Sequence, residues 1–288
     1  EAAAQLSRLD GRFQSLETGF QVRDGRGGFG WFVSGGASTS DRFLDPVTFA
    51  NLHNQGRSAR LSTRFDWVLG GSDTLRLSLS GGDVHREVAN LPSQEARGQD
   101  QRATTSDLNL SLGWTHLRGA DQSLDATAFL RTARASLAPT RELREGFGAA
   151  EQADFPVWAG QDRRLDNVGV RASLTQRWGD GHLFKAGLQH TEYPLQERFR
   201  FAITDPSQVT ETSSPLFRYT PAGGGHIFRF EGNLNPRLSS VFVQNDLHLG
   251  AFFMALGLRH DSYDVADIHD RQLQPRLGLS VRLPGLGT

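Results

Sequence analysis

Cysteine is absent from these 288 residues, which removes disulfide frameworks, thiolate nucleophiles and thiolate metal sites together. Lysine occurs once, at Lys185, so arginine carries nearly all of the positive charge. The net charge is -1, so no global field favours a polyanion, and no nucleic-acid partner is expected. Long apolar runs are missing as well. The longest apolar window, around Ala251–Leu258, is less than half of the roughly 18–20 residues that a spanning helix needs. A hydrophobic fraction of 37% and a mean hydropathy of -0.44 are low for a helical membrane protein. A membrane barrel escapes that argument, because only alternate residues of each strand meet lipid.

What the chain does have is period-two alternation. Eleven long strands are expected, at about 13–23, 28–40, 57–69, 73–86, 105–117, 123–137, 166–178, 182–193, 237–249, 252–263 and 272–283. Leu75, Leu77 and Leu79 oppose Thr74, Arg76, Ser78 and Ser80. Leu108, Leu110, Leu112 and Trp114 oppose Asn109, Ser111, Gly113 and Thr115. Leu277, Leu279, Val281 and Leu283 oppose Arg276, Gly278, Ser280 and Arg282. A helical period would scatter these leucines round the axis, whereas a strand gathers them on one face.

The connections alternate in length. Short turns lie at 24–27, 70–72, 119–122, 179–181 and 250–251, and longer stretches at about 41–56, 86–104, 138–165, 194–236 and 264–271. Sorting by parity is what an outer-membrane barrel requires, with short periplasmic turns and longer external loops. Trp31, Trp67, Trp114, Trp178 and Phe252 lie near the short turns, and Tyr193 and Tyr263 lie at the opposite strand ends. Rings with a polar edge favour the two interfaces of a membrane, so a girdle at each end is expected. The fold class is therefore all-β, an antiparallel up-and-down transmembrane barrel. Residues 1–288 form one partial barrel domain in this reading, with 1–12 a poorly patterned lead-in. Eleven strands are an odd number, so the closed object is expected to be larger than this chain, unless the lead-in supplies one more.

Three segments carry a family resemblance. Ser240-Val-Phe-Val-Gln-Asn-Asp-Leu-His-Leu249 resembles the VQDxxxL strand of TonB-dependent outer-membrane receptors. Gly257-Leu-Arg-His-Asp-Ser-Tyr263 resembles their GLRYDxY strand, and Leu273-Gln-Pro-Arg-Leu-Gly-Leu-Ser280 their PRLGLSY strand, in the family's order. His260 stands where that family has tyrosine, and Asn245 where it has aspartate. Thr39-Ser-Asp-Arg-Phe-Leu-Asp-Pro46 and Leu52-His-Asn-Gln-Gly56 resemble the variety with a carboxypeptidase-regulatory-like N-terminal domain. The resemblance implies a barrel of about 22 strands in the bacterial outer membrane, a plug domain, and energy delivered by TonB. Outer-membrane lipid, plug, TonB and a small-molecule, glycan or peptide ligand are the implied partners. The implied role is active uptake of a scarce or bulky solute. A passive porin is the alternative reading.

Lumen-facing candidates follow from strand parity: Asp66, Arg76, Arg171, Gln244, Asp246, Arg259, Asp261, Arg276 and Arg282. Wide barrels carry charge-laced inner walls, so pairing with one another or with a plug is their expected role. Asp261, Asp264, Asp267 and Asp270 with His260 and His269 form the densest acidic and imidazole run. Its spacing matches no EF-hand and a solvated loop accounts for it, so no metal ligand, cofactor or catalytic residue is assigned. A barrel hydrolase would need a nucleophile near His190, Tyr193 or His260-Asp261-Ser262, and no G-x-S-x-G motif is present. Phe199–Ile203 and Ile227–Phe230 are expected to pair as a small hairpin above the membrane.

Overall fold

A computed structural model describes residues 2–9, 13–45, 48–148, 154–179 and 181–282. Side chains are described from residue 16 onward, except that of Pro206. The strands are β1 (Ala2–Leu9), β2 (Phe13–Arg26), β3 (Phe29–Ser40), β4 (Gly56–Leu69), β5 (Asp73–Glu87), β6 (Arg102–Arg118) and β7 (Gln122–Ala138). They continue with β8 (Val157–Trp178), β9 (His182–Glu192), β10 (Leu195–Ile203), β11 (Phe228–Leu234), β12 (Arg237–Leu249), β13 (Phe252–Val265) and β14 (Ile268–Val281). Neighbours along the chain pair antiparallel from β1 to β9, and then come β12, β13 and β14. Among the described residues the sheet is open, with β1 and β14 as its edges. All eleven expected strands are present, and the lead-in adds a twelfth to the path by pairing Ala2 with Phe20 and Leu9 with Phe13. Leu283, expected at the end of the last strand, lies outside the described residues, as does Pro46.

Short turns close the lower ends because glycine can take the left-handed backbone that tight hairpins need, as at Gly70 (φ 68°) and Gly250 (φ 66°). The upper ends behave differently from one another. Strand β8 starts at Val157, so the expected loop over 138–165 gives up its last third to a strand. The stretch 194–236 does contain the expected hairpin, larger than its sequence pattern indicated. Strand β10 pairs with β11 and with the upper part of β8. The register is unbroken through the prolines: Glu192 faces Arg237 and Leu195 faces Leu234, with Tyr193 donating its N–H to the Pro236 carbonyl at 2.8 Å. Pro194 and Pro236 interrupt the ladder only where they lack an N–H. One long hairpin thus runs from the membrane into the external space.

The expected loop at 264–271 is absent. Strands β13 and β14 continue into it, pairing Asp264 with His269 and Val265 with Ile268, and leave only Ala266 and Asp267 to turn the chain. Ala266 accepts a positive φ of 50° there. The acidic composition of this stretch mimics a loop, while its alternation continues that of the flanking strands.

The pleat sorts side chains onto two faces. One carries Leu75, Leu77 and Leu79, Leu108 to Trp114 by twos, and Phe252, Met254, Leu256 and Leu258, many of them exposed. On β8 the same face shows Val168, Val170, Ala172, Leu174 and Trp178, with Gln176 bonded to Gln122 between them. About ten residue steps at about 3.3 Å give about 33 Å along the strand. A tilt near 40° turns this into the roughly 25 Å apolar height of an outer-membrane barrel. Trp31, Trp67, Trp114, Trp178 and Phe252 all fall on this face near the short turns, and Phe29 stacks on Trp67 with centroids 5.4 Å apart. That is the lower girdle. The upper one is not built as expected, because register puts Tyr263 on the face of Arg259 and Asp261, and continues Tyr193 onto that same face.

Candidate functional site: the polar wall and the external cap

The opposite face is polar throughout. Register places all nine lumen candidates on it: Asp66 faces Arg76, Gln244 faces Gly257, Asp246 faces Ala255, and Arg259 and Arg276 follow in line. Arg171 faces Gln189 on β9 and Thr127 on β7, and Arg282 donates its N–H to the Ala251 carbonyl at the end of the ladder. One recess of about 560 Å³ on this face is lined from Arg76 on β5, through Arg171 on β8, to Arg259 on β13. Those outer strands are six places apart, or about 29 Å in a flat sheet. They share a recess because the sheet curls toward its polar face.

Within the wall the charges are partly matched. Asp66 takes Arg64 (Nε to Oδ2, 2.7 Å) and Arg76 (Nε to Oδ1, 2.8 Å). Asp261, with a side chain only 4% exposed, accepts from Arg259 Nε at 2.8 Å and from Gln274 Nε2 at 3.0 Å, while Arg259 Nη2 reaches Ser240 Oγ at 3.0 Å. Gln244 donates to Asp246 at 2.8 Å. The side chains of Arg171, Arg276 and Arg282 have no ion-pair or hydrogen-bond partner among the described residues, and neither do those of Arg60, Arg131 and Lys185 on the same face, so the wall offers several free cations.

Above the membrane the loops are ordered by buried polar side chains that alternation does not reveal. Asn54, 1% exposed, clamps its own loop through the Leu44 backbone. Asn90, 2% exposed, donates to the Gln99 carbonyl at 2.7 Å and its N–H meets the Leu52 carbonyl at 2.9 Å. The loops 41–55 and 88–101 are therefore tied together. His53 adds Nδ1 against the Val88 carbonyl at 2.9 Å and Nε2 against Asp100 Oδ1 at 2.7 Å. Burial works against its charge, but the Val88 carbonyl and the Asp100 and Glu87 carboxylates outweigh it and hold His53 above the ordinary imidazole pKa. The Arg102 fork, with help from His53, holds Asp100 below the usual carboxylate range against slight desolvation.

A third loop joins through Thr140, whose hydroxyl accepts the Asp100 N–H at 2.7 Å and itself donates to Asp154. It packs on the outer side of the long hairpin. Trp158 is fully buried there among Leu143, Phe147, Ala202 and Ile227, and donates Nε1 to the Arg141 carbonyl at 2.7 Å. Glu145 anchors the same loop on Arg229 and the Ile227 N–H, and Arg229 is the main cause of its lowered pKa. The other side of the hairpin, continuous by register with the polar wall, carries Phe199, Phe201 and Phe228 with Tyr219 beside them. Phe201 and Phe228 centroids are 4.9 Å apart, and Phe201 and Tyr219 are 5.2 Å apart.

The acidic run at the top of β13 and β14 does not converge. Pleating sends Asp261 and Asp270 to the interior face and His260, Asp264 and His269 to the outer one, where Asp264 pairs with His269 at 2.6 Å. The same alternation separates Asp261 from His260 and Ser262, so that triplet cannot relay a proton. Sequence reasoning missed a different arrangement: Ser239 Oγ lies 2.8 Å from His190 Nδ1, with Glu192 Oε1 3.6 Å from Nε2. Ser239 sits mid-ladder between β9 and β13, whose pairing occupies the surrounding N–H groups and leaves no oxyanion donors.

No sequence-family profile and no curated protein sequence matches the chain. Solved structures do. The FrpB iron transporter from Neisseria meningitidis superposes with a TM-score of 0.63 at 15% identity, over 98% of this chain and 44% of that one. FpvA of P. aeruginosa, solved with pyoverdines, gives 0.62 at 11% identity, over 99% and 40%. The ferric citrate transporter FecA gives 0.61 at 13% identity, over 96% and 40%. The chain shares the antiparallel strand architecture of these three structures. The chain spans less than half the length of each of these structures. FrpB and FecA are transporters by name.

Proposed function

We propose that this chain is a barrel-wall portion of a TonB-dependent receptor, a non-enzymatic importer of a scarce or bulky solute across the bacterial outer membrane. The observation that carries the reading is the continuity of one face. The polar wall with its unpartnered Arg171 and Arg276 runs without a register break into the aromatic side of the external hairpin at Phe199, Phe201 and Phe228. Aromatic faces above would hold a solute in place, and charged groups below would meet the plug or the passing solute. The cargo class, whether iron chelate, cobalamin, glycan or peptide, is left to binding assays.

A passive porin would share the two-faced wall, and the two readings differ in conductance. Liposomes bearing the full-length protein are predicted not to swell in solutions of small sugars, because a plugged barrel holds no open channel. Swelling at porin-like rates would establish the porin instead.

A further inference from the structure

The top of the barrel holds a group of three potential metal ligands that the transport reading does not use. His53 in the loop 41–55, Glu87 at the end of β5 and Asp100 in the loop 88–101 bring Nε2, Oε1 and Oδ1 within 4.8 Å of one another. Nε2 lies 2.7 Å from Asp100 Oδ1 and 3.7 Å from Glu87 Oε1. The side chains of His53 and Glu87 are only 12% and 22% exposed, while that of Asp100, at 46%, opens the cluster to solvent.

Hydrogen bonds behind the three side chains aim their ligand atoms at one point. A backbone carbonyl only accepts, so Nδ1, 2.9 Å from the Val88 oxygen, carries a hydrogen. Nε2 faces the Asp100 and Glu87 carboxylate oxygens, where it can hold either a proton donated to Asp100 or, in its place, a metal ion. A metal ion bound there displaces that proton and keeps a positive charge between the ring and the carboxylates. A carbonyl-bound Nδ1 is also the usual support behind a metal-bound imidazole, because it fixes the tautomer and the ring plane. Glu87 is prepared in the same way: its Oε2 accepts the Gln55 N–H at 2.8 Å, and Oε1 has no hydrogen-bond donor among the described residues. Asp100 is oriented by the Arg102 fork at 2.8 and 3.1 Å, which keeps Oδ1 directed at the imidazole.

We propose that His53, Glu87 and Asp100 bind one borderline divalent cation of the Zn²⁺, Fe²⁺ or Mn²⁺ class, with solvent completing its coordination. Nitrogen and oxygen ligands about 2.1 Å from such an ion stand about 3.0–3.4 Å apart, so the 2.7 and 3.7 Å separations bracket the required geometry and shifts of a few tenths of an ångström satisfy it. One imidazole with two carboxylates suits these ions, whereas an all-oxygen shell suits calcium. The three ligands come from three segments, so the ion acts as a staple between the first two described external loops. The inference holds whatever the barrel carries.

Zinc is the probe. The refolded full-length protein, stripped of metal, is titrated calorimetrically with Zn²⁺, and one equivalent is expected to bind. His53→Ala and Glu87→Gln are each expected to weaken binding at least tenfold. Asp264→Asn, which breaks the exposed Asp264–His269 pair on the neighbouring rim, is expected to leave it unchanged. Glu87→Gln preserves side-chain shape, and its far-ultraviolet dichroism verifies the sheet, so the test stands even if the histidine variant refolds poorly. Absence of zinc binding by the wild type, or undiminished binding by Glu87→Gln, overturns the proposal.

Discussion

Asp154 shows how far single side chains organise the external cap. Its carboxylate, in a residue 2% exposed, receives the Thr140 N–H at 3.2 and 3.3 Å as well as the Thr140 hydroxyl. Burial is the larger influence and pushes its pKa above the usual carboxylate range, with the Thr140 and Gln101 hydrogen bonds opposing it. A raised folded pKa means that the group's stabilising contribution is complete below the unfolded carboxyl value of about 3.9 and is lost as pH rises through the folded value. At neutral pH the ionised group is therefore buried at a cost. Asp154→Asn keeps the acceptor and removes the charge. The opening free energy of the Thr140 amide, from hydrogen exchange corrected for intrinsic rate, is predicted to rise by about 1 kcal/mol at pH 7 and to lose its slope between pH 4 and 7. A lower opening energy in the variant would show that the charge itself holds the loop. Glu145 has the opposite sign. Its pairing with Arg229 contributes above the ordinary glutamate range and is lost on acidification through the lowered folded pKa.

Alternation made the strands legible at the scale of elements. A run such as Thr74 to Ser80 admits one period, and the parity of its residues fixed which side chains share a face before any register was known. By that rule all nine lumen candidates share one face, as the register has them. It failed where two signals competed. The stretch 264–271 reads as a loop by its aspartates and as a strand by its spacing, and the ladder from Asp264–His269 to Val265–Ile268 shows that spacing prevailed. Tyr263 misled for a related reason: closeness to a strand end does not say which face a ring is on. The cap was illegible because its ordering groups, Asn54, Asn90, Thr140 and Asp154, act through backbone partners that no period marks. The two faces are testable directly. Leu77→Arg puts a cation at the middle of the lipid band and is predicted to destabilise the barrel by about 2–4 kcal/mol in urea unfolding from bilayers. Ser78→Arg, one residue on and facing the interior, is predicted to cost less than about 1 kcal/mol. Equal costs would contradict the assignment of faces.

For the molecule as a whole, the twelve-strand path forms an open, curled sheet with one apolar and one polar side. Among the described residues its external rim is an interlocked cap, and the other rim carries tight turns. That asymmetry suits a receptor, which must hold a ligand on one side and release it on the other. The size of the neighbouring structures, each more than twice the span of this chain, fits a wall that belongs to a larger barrel. The most direct test of the account is energy-dependent uptake. Cells expressing the full-length protein would be offered labelled ferric chelates, cobalamin, glycan fragments and peptides, with and without TonB and with and without a proton gradient. The account predicts accumulation of one of these classes that falls to background when either TonB or the gradient is removed. Uptake that proceeds at full rate without them would contradict it.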